Sequence, residues 1–188
     1  MSVITSHRLS YDGDIRELLG DILGENTAIR YDRDKKDYTI RTIPCAVDLT
    51  KCTGSEEIMD EWRKKGISIH TMVEPEPEKI EDFESKGYEF SKNEYSNGHN
   101  DYSFRRDLND EELKAVLHEP VNVSDDGKTI SWLRNYGHDD TPAYLISKTF
   151  PNIDFHYTEI TESYLDADCI LNNGEVKEDL LEEEKEDI

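Results

Sequence analysis

Residues 128–172 constrain the fold more than any other stretch, because their hydrophobic pattern changes period twice. Apolar and polar residues alternate through Trp132, which predicts a strand with one apolar face. A helix is predicted to begin at Thr141-Pro142, since a proline at the first helical position loses no hydrogen bond. Alternation resumes at Ile153 and is followed by a further apolar run. The order of strand, helix, strand and returning strand predicts a packed βαββ unit.

The N-terminal part of the chain has the same order of predicted elements. An N-terminal strand leads to a helix that is capped by Asp14, carries a helical apolar stripe and ends at Gly24. Residues 27–33 and 38–46 then alternate on either side of a polar turn, which predicts a hairpin. Residues 1–50 therefore predict a first βαββ-like unit.

The residues between these two units are predicted to form a helical acidic insertion over 51–126. Its predicted elements are helices over 55–66, 77–87 and 109–118, a strand over 67–73, and a loop or loose hairpin over 91–103. The end of the chain, residues 175–188, predicts either a solvated acidic tail or a helix docked through Val176, Leu180 and Leu181.

These patterns together predict an α+β fold with a ferredoxin-like sheet and helices on one face. Two βαββ-like units, 1–50 and 127–174, are joined by the insertion into one domain spanning 1–174. The run ISWLRNYG, a short helix and the run FPNIDFHY resemble a ferredoxin-like domain found in uncharacterised phage and plasmid proteins. This resemblance implies a fold and a mobile-element origin, and it carries no catalytic motif.

Charge is the most informative property for function. The 188 residues include 44 acidic and 22 basic ones, a net charge of −22. Residues 1–70 carry 13 acidic and 11 basic residues, whereas residues 71–188 carry 31 and 11. Such a field repels phosphate and attracts basic proteins, so the sequence predicts no direct binding to nucleic acid.

Several other function classes are disfavoured by the sequence. No apolar run reaches membrane-spanning length, no signal peptide is evident, and three cysteines without paired spacing fit a reducing compartment. We therefore expect a protein of the bacterial cytoplasm without membrane binding, cofactor or metal. The Gly-His-Asp-Asp run at 137–140 is interpreted as helix capping rather than a metal site. The sequence predicts no catalytic residue and no oligomeric state.

The acidic residues between the two units are predicted to bind the partner. They are Glu74, Glu76, Glu78, Glu81, Asp82, Glu84, Glu94, Asp101, Asp107, Asp110, Glu111, Glu112, Asp125 and Asp126. Carboxylates on a rigid scaffold can imitate the phosphate array that a nucleic-acid enzyme binds.

In size and composition the chain resembles acidic anti-defence proteins of phages, such as DNA-mimic antirestriction and anti-CRISPR inhibitors. The residues that carry this resemblance are 74–84, 107–119 and 175–187. It implies an inhibitor that occludes the basic surface of a nucleic-acid-binding enzyme such as a CRISPR effector nuclease.

Three alternatives remain open at this point. One is an immunity protein against a basic toxin, and another is a small enzyme with a cleft near Trp132, His138 and His156. The third is an acidic surface that serves solubility alone.

Overall fold

The computed structural model of the protein describes residues 3–135 and 139–181 as an α+β fold. Its described strands pair antiparallel in three sheets. The chain divides into two compact units, a first unit of residues 1–57 and 114–188 and an inserted unit of residues 58–113. Within the described ranges, every helix is too short or too polar to cross a membrane.

The elements follow one another in an order that is richer in strands than the sequence predicts. The strands are β1 (Ile4–Ser10), β2 (Leu23–Asp32), β3 (Asp37–Asp48), β4 (Ile67–Thr71), β5 (Glu89–Glu94), β6 (Asn100–Arg106), β7 (His118–Pro120), β8 (Asn122–Val123), β9 (Thr129–Asn135), β10 (Phe155–Thr161), β11 (Tyr164–Asn172) and β12 (Glu175–Asp179). The helices are α1 (Ile15–Leu19), α2 (Ser55–Lys65), α3 (Pro77–Ser85), α4 (Asp110–Val116) and α5 (Thr141–Thr149). Two short 3₁₀ turns cover Gly20–Ile22 and Leu49–Lys51.

The first unit contains a six-stranded sheet in the order β12-β11-β10-β1-β9-β8. The N-terminal strand β1 lies between β9 and β10 and is antiparallel to both. Strands β9 and β10 are therefore parallel to each other, and α5 connects them along the chain. A second sheet in this unit has the order β2-β3-β7.

The core of the first unit comes mainly from one face of the six-stranded sheet and from α1 and α5. Alternation along the strands puts one apolar row inside while the intervening residues face outward. The fully buried members include Leu9, Ile15, Ile130, Trp132, Ile146, Phe155, Tyr157 and Leu171. Burial of this row fixes the register of the sheet, since a one-residue slip would turn the row toward solvent.

The inserted unit has a separate three-stranded sheet in the order β4-β6-β5. Its core is aromatic: Phe83 of α3 stacks on Phe104 of β6 with 4.4 Å between ring centroids. Tyr88 meets the edge of the Phe83 ring at 5.3 Å, and Phe90 lies at the same distance from Phe104. These rings give the unit a core of its own.

Much of the predicted element order is confirmed. The strand, helix, strand and strand of residues 128–172 are β9, α5, β10 and β11, and the predicted N-terminal hairpin is β2 and β3. The helices predicted at 55–66, 77–87 and 109–118 are α2, α3 and α4. The alternative of a hairpin over 91–103 is the one that forms, as part of β5 and β6.

Residues 1–50 do not form a single βαββ sheet. Strand β1 pairs with β9 and β10, whereas β2 and β3 belong to the other sheet of the first unit. The predicted helix up to Gly24 is also shorter, because Gly20 has a positive φ of 49° that ends α1 and only a 3₁₀ turn follows. Leu23 and Gly24 then begin β2.

One further prediction is made more specific and another requires correction. The insertion over 51–126, predicted with three helices, one strand and a loop or loose hairpin, contains a sheet of strands β4, β5 and β6 around the aromatic core. Residues 175–179 are neither a tail nor a helix but strand β12. The cause is Asn173-Gly174, whose φ values of 51° and 76° suit the two-residue turn of a hairpin.

Replacing Trp132 by alanine should lower the free energy of unfolding by about 3–5 kcal/mol, because a fully buried large aromatic leaves a cavity. Trp132 is 1% exposed, whereas its neighbour Leu133 is 63% exposed. Leu133→Ala is the matched control and should stay within about 0.5 kcal/mol of the parent. Urea unfolding of both variants measures the difference, and equal stability would contradict this assignment of the inner face.

Candidate functional site

Twelve of the fourteen acids predicted to bind a partner lie in the inserted unit. Asp125 and Asp126 lie in a turn of the first unit. The candidate surface is therefore defined within the inserted unit alone.

Glu112 is part of the fold and is not available to a partner. It is 6% exposed, and its two carboxylate oxygens each accept a hydrogen bond from the Arg106 guanidinium at 2.6 Å. The Asn109 N–H also donates to this carboxylate at 3.0 Å, while the Glu112 N–H donates to Asn109 Oδ1 at 2.9 Å. This reciprocal pair is a capping box for α4. The prediction that Glu112 contacts a partner is replaced by a structural role.

Several other predicted acids are compensated by bases of the inserted unit. The ion pairs are Asp82–Lys86 at 3.0 Å, Glu94–Lys92 at 3.0 Å, Asp107–Arg105 at 3.1 Å and Asp110–Arg63 at 2.9 Å. A hydrogen bond with Asp101 raises the pKa of Tyr95. In the first unit, Asp126 accepts hydrogen bonds from the Ser124 hydroxyl at 2.6 Å and the Lys128 N–H at 3.0 Å. Their charge is thus partly used within the fold.

The acids that remain are concentrated in one segment. Glu74, Glu76, Glu78, Glu81 and Glu84 are exposed and form no ion pair with any described residue. We call these five residues the acidic ridge. Three of them follow one another on α3 at intervals of three positions, so their Cβ atoms lie about 5–6 Å apart. Outside the ridge, Glu111 and Asp125 are likewise exposed without a described ion pair.

The aromatic core holds the ridge in place. Phe83 projects from the inner side of α3 and is 1% exposed, in contact with Phe104. Pro77 lies in the first turn of the helix, where it needs no N–H partner. The helix is therefore fixed to the sheet, and its acidic side faces solvent.

Two exposed apolar residues directly precede the ridge in the chain, where the sequence predicts the end of a strand over 67–73. Strand β4 ends at Thr71, and Met72 and Val73 are 76% and 75% exposed. The Val73 N–H donates to the Thr71 hydroxyl at 3.2 Å, which turns the chain out of the sheet. The Glu-Pro-Glu-Pro run that follows could have predicted this exposure. An acidic, proline-rich segment supplies no strand or helix that would cover Met72 and Val73.

The net charge does not distinguish the two units. The inserted unit carries 15 acidic and 8 basic residues, a net of −7 over 56 residues. The first unit carries 29 and 14, a net of −15 over 132 residues. Both have about one net negative charge per eight or nine residues, so the ridge stands out by arrangement and not by total charge.

The cleft predicted near Trp132, His138 and His156 does not form among the described residues. Trp132 faces the core and stacks on His7 at 5.3 Å, whereas His156 lies on the opposite face of the sheet. His156 Nε2 contacts Asp168 Oδ1 there at 2.6 Å. His138 lies outside the described residues. Trp132 and His156 therefore cannot line one cleft.

A buried polar cluster lies instead on the inner face of the sheet. The Tyr157 hydroxyl donates a hydrogen bond to Glu159 at 2.9 Å and lies 2.8 Å from His7 Nδ1. Because the hydroxyl has only one proton to donate, His7 Nδ1 must carry the ring proton and donate to the Tyr157 oxygen. Burial lowers the pKa of His7 and raises that of Tyr157 well above its usual range. A small cavity of about 150 Å³ reaches the cluster and is lined by Tyr157 and Glu159 together with Asp140, Tyr144, Asp166, Asp168 and Asp179. Among the described residues, no group of acids, histidines and cysteines is arranged to hold a metal ion.

The Glu112 assignment predicts a large difference between two adjacent glutamates. Glu112→Ala should destabilise the protein by about 3–5 kcal/mol, because it leaves Arg106 without its buried partner. Glu111→Ala removes an exposed charge from the same helical turn and should change stability by less than about 0.5 kcal/mol. Urea unfolding compares the two, and similar values would show that Glu112 is a surface residue.

A second buried carboxyl should make stability depend on pH. Burial raises the pKa of Glu119 from 4.5 to about 7, although the adjacent Arg134 acts in the opposite direction. Between these two values the unfolded chain releases a proton that the folded protein keeps, so stability falls as pH rises through this window.

Relative to Glu119→Gln, the parent protein should lose on the order of 3 kcal/mol between about pH 4.5 and about pH 7. Other titrating groups cancel when the unfolding free energies of the two proteins are subtracted at each pH. A constant difference across the window would mean that Glu119 ionises as an ordinary carboxyl.

The comparisons with known proteins found no relative of this chain. The chain matches no protein-family model, no curated protein and no solved structure. The grounds for a function are therefore the acidic ridge, the exposed apolar pair beside it and the buried contacts that hold both.

Proposed function

We propose that this protein is an acidic binding protein that occludes the basic, nucleic-acid-binding surface of a partner enzyme. The setting we propose is that of a phage or mobile-element inhibitor of a defence nuclease, as in anti-CRISPR proteins that act by DNA mimicry. The observation that carries the proposal is the acidic ridge, in which five neighbouring carboxylates have no described ion-pair partner.

The ridge contributes little to the stability of the inserted unit. Like charges three or four positions apart on a helix destabilise it by a few tenths of a kcal/mol per pair, roughly 0.2–0.5. Glu78 lies in the first turn of α3, where a negative charge favours the helix dipole, whereas Glu84 lies in the last turn, where it opposes the dipole. A row of charges with so little use within the fold is available to a partner that supplies cations.

The apolar pair beside the ridge supports binding to a protein rather than to free cations. Interfaces combine a desolvated apolar centre with a polar and charged rim. Met72 and Val73 supply exposed apolar surface, and Glu74 and Glu76 follow directly along the chain. A partner would therefore have an apolar hollow flanked by basic residues.

The two parts of the surface should contribute to different rates. Charges at the rim speed association and are screened by salt, over a Debye length of about 8–10 Å at 0.10–0.15 M. Burial of an apolar anchor acts mainly on dissociation. Charge reversal and anchor removal are thus expected to have distinguishable kinetic effects.

We also propose that the six-stranded sheet is a ferredoxin-like variant in which β1 supplies the strand between β9 and β10. The β9–α5–β10 connection supports this relation, because its two strands are separated by one antiparallel strand as in a split βαβ unit. The resemblance of residues 128–172 to a domain of phage and plasmid proteins points the same way.

The test of the binding proposal is capture from a bacterial lysate at low salt, with partner identification and then binding kinetics. Glu78→Lys/Glu81→Lys should slow association with the captured enzyme about tenfold or more at roughly 50 mM salt, with a much smaller effect at roughly 200 mM. Met72→Ser/Val73→Ser should speed dissociation and leave the salt dependence unchanged.

Glu17→Lys/Glu25→Lys is the matched control, because it makes the same change of net charge at exposed acids of the first unit. It should leave association close to that of the parent. The proposal would be contradicted if the association rate changed neither with salt nor with the charge reversal of the ridge. It would also be contradicted if the control variant lost binding to the same extent. Capture of a basic toxin instead of a nucleic-acid enzyme would redirect it to an immunity function on the same ridge.

A further inference from the structure

The β2–β3 hairpin extends beyond its own sheet as a two-stranded arm. Strand β7 pairs with β3 only at Ala46, Val47 and Asp48. A bulge between Gly24 and Asn26 marks the end of the three-stranded part. From there the pairs run from Asn26 and Ile43 to Asp32 and Asp37, a length of about 20 Å at 3.4 Å per residue. Two-stranded ribbons are only marginally stable alone, so this arm gains stability if it finds a further strand.

The two faces of the arm differ in chemistry. Ile29 lies opposite Ile40, and Tyr31 lies opposite Tyr38 with ring centroids 5.4 Å apart. Tyr31 is 41% exposed and Ile40 is 39% exposed. The other face carries the alternate residues, among them Arg30 and Arg41.

The arm is basic within an acidic chain. Its five bases, all exposed, are Arg30, Arg33, Lys35, Lys36 and Arg41, against three acids, Asp32, Asp34 and Asp37. None of the five bases forms an ion pair with a described carboxylate. The Asp32 carboxylate accepts the backbone N–H groups of Asp34 and Lys35 at 3.0 and 3.2 Å, so it stabilises the turn. The arm thus carries a net charge of +2 and the rest of the chain −24.

A complementary edge exists in the same unit. Strand β12 forms one end of the six-stranded sheet, and β2 forms one end of the other sheet, so each has one side without a described neighbour. Every residue of β12 is exposed, and Glu175, Glu178 and Asp179 form no described ion pair. Its single base, Lys177, is paired with Asp154 at 2.6 Å. Within β2 beyond Thr27, Arg30 is offset by Asp32, and the excess positive charge of the arm lies in the turn at 33–36 that follows the strand. An unpaired strand edge that leads into a basic turn is suited to pair with an acidic edge.

We propose that two copies of this chain associate by pairing β2 of the arm in one copy with β12 of the other. The backbone of the two edges supplies the hydrogen bonds of a continuous sheet. Arg30 lies in the pairing strand and Arg33 in the turn that directly follows it, so both can approach Glu175 and Glu178 of the next copy. The free part of β2 begins after Thr27, because the Thr27 N–H already donates to the His118 ring at 3.0 Å.

Charge complementarity favours a second copy over nucleic acid as the occupant of the arm. The rest of the chain carries a net charge of −24, which repels a phosphate backbone. The acidic residues of a second copy include those of its β12 edge, which attract the basic arm. A pairing of about five residues buries less than the roughly 1,200 Å² of a standard interface. We therefore expect weak association that increases with concentration and falls with salt.

Two charge-reversed variants test the pairing by sedimentation at concentrations up to roughly 1 mM. Arg30→Glu/Arg33→Glu and Glu175→Lys/Glu178→Lys should each remain monomeric alone. An equimolar mixture of the two should associate as the parent does, and so should the variant that combines all four substitutions. The net charges of the first two are −26 and −18, starting from −22.

This difference in net charge separates specific pairing from general repulsion. General repulsion alone would make the −18 variant associate more than the parent, the opposite of our expectation. Glu78→Lys/Glu81→Lys, which makes the same charge change in the acidic ridge, is the control and should not weaken association.

The proposal is overturned if the parent is monomeric throughout the concentration range. It is also overturned if either variant alone associates like the parent, or if their mixture fails to associate. A heavy species that disappears on nuclease treatment would show that the arm binds nucleic acid instead. None of these outcomes depends on the ridge, so this test is independent of the function proposed above.

Discussion

The insertion of β1 between β9 and β10 is the constraint on which the first unit depends. It pairs residues separated by more than a hundred positions, such as Ser6 with Leu133 and Leu9 with Tyr157. Contacts this distant in sequence are expensive in loop entropy and are offset only when the whole inner face becomes buried. His7 shows the consequence, since it is fully buried on a strand that lies in the interior of the sheet. The ladder on either side of β1 and the core beneath it should therefore form together.

The sequence predicted local elements well and long-range pairing poorly. Alternation and capping located β9, α5 and β10 because these signals lie within a few residues of each other. That β1 joins this group, while β2 and β3 do not, depends on packing between distant segments that no periodicity reports. The error at β12 had a different cause: Asn173-Gly174 is a strong local hairpin signal, but the surrounding acids favoured interpretation as a tail.

The sequence indicates which segment carries the candidate surface, but not which of its acidic residues are exposed. Counting acids cannot separate Glu111, which is exposed, from Glu112, whose carboxylate is held by Arg106 and by the first turn of α4. Spacing along a helix distinguishes the exposed glutamate from the buried one only once it is known which side of the helix faces the core. The exposed pair Met72 and Val73 was hidden for the same reason, because an apolar run at the end of a strand has the same pattern whether it is covered or not.

The protein keeps its two unusual surfaces in separate compact units, which has a consequence for how they act. The acidic ridge belongs to the inserted unit, whereas the basic arm and the β12 edge belong to the first unit. Both rely on exposed charge, so salt weakens both, but neither shares a residue with the other. A charge reversal in one unit therefore leaves every residue of the other surface unchanged. Salt alone cannot separate the two kinds of association, since it screens exposed charge in both units, and paired charge reversals within each unit can.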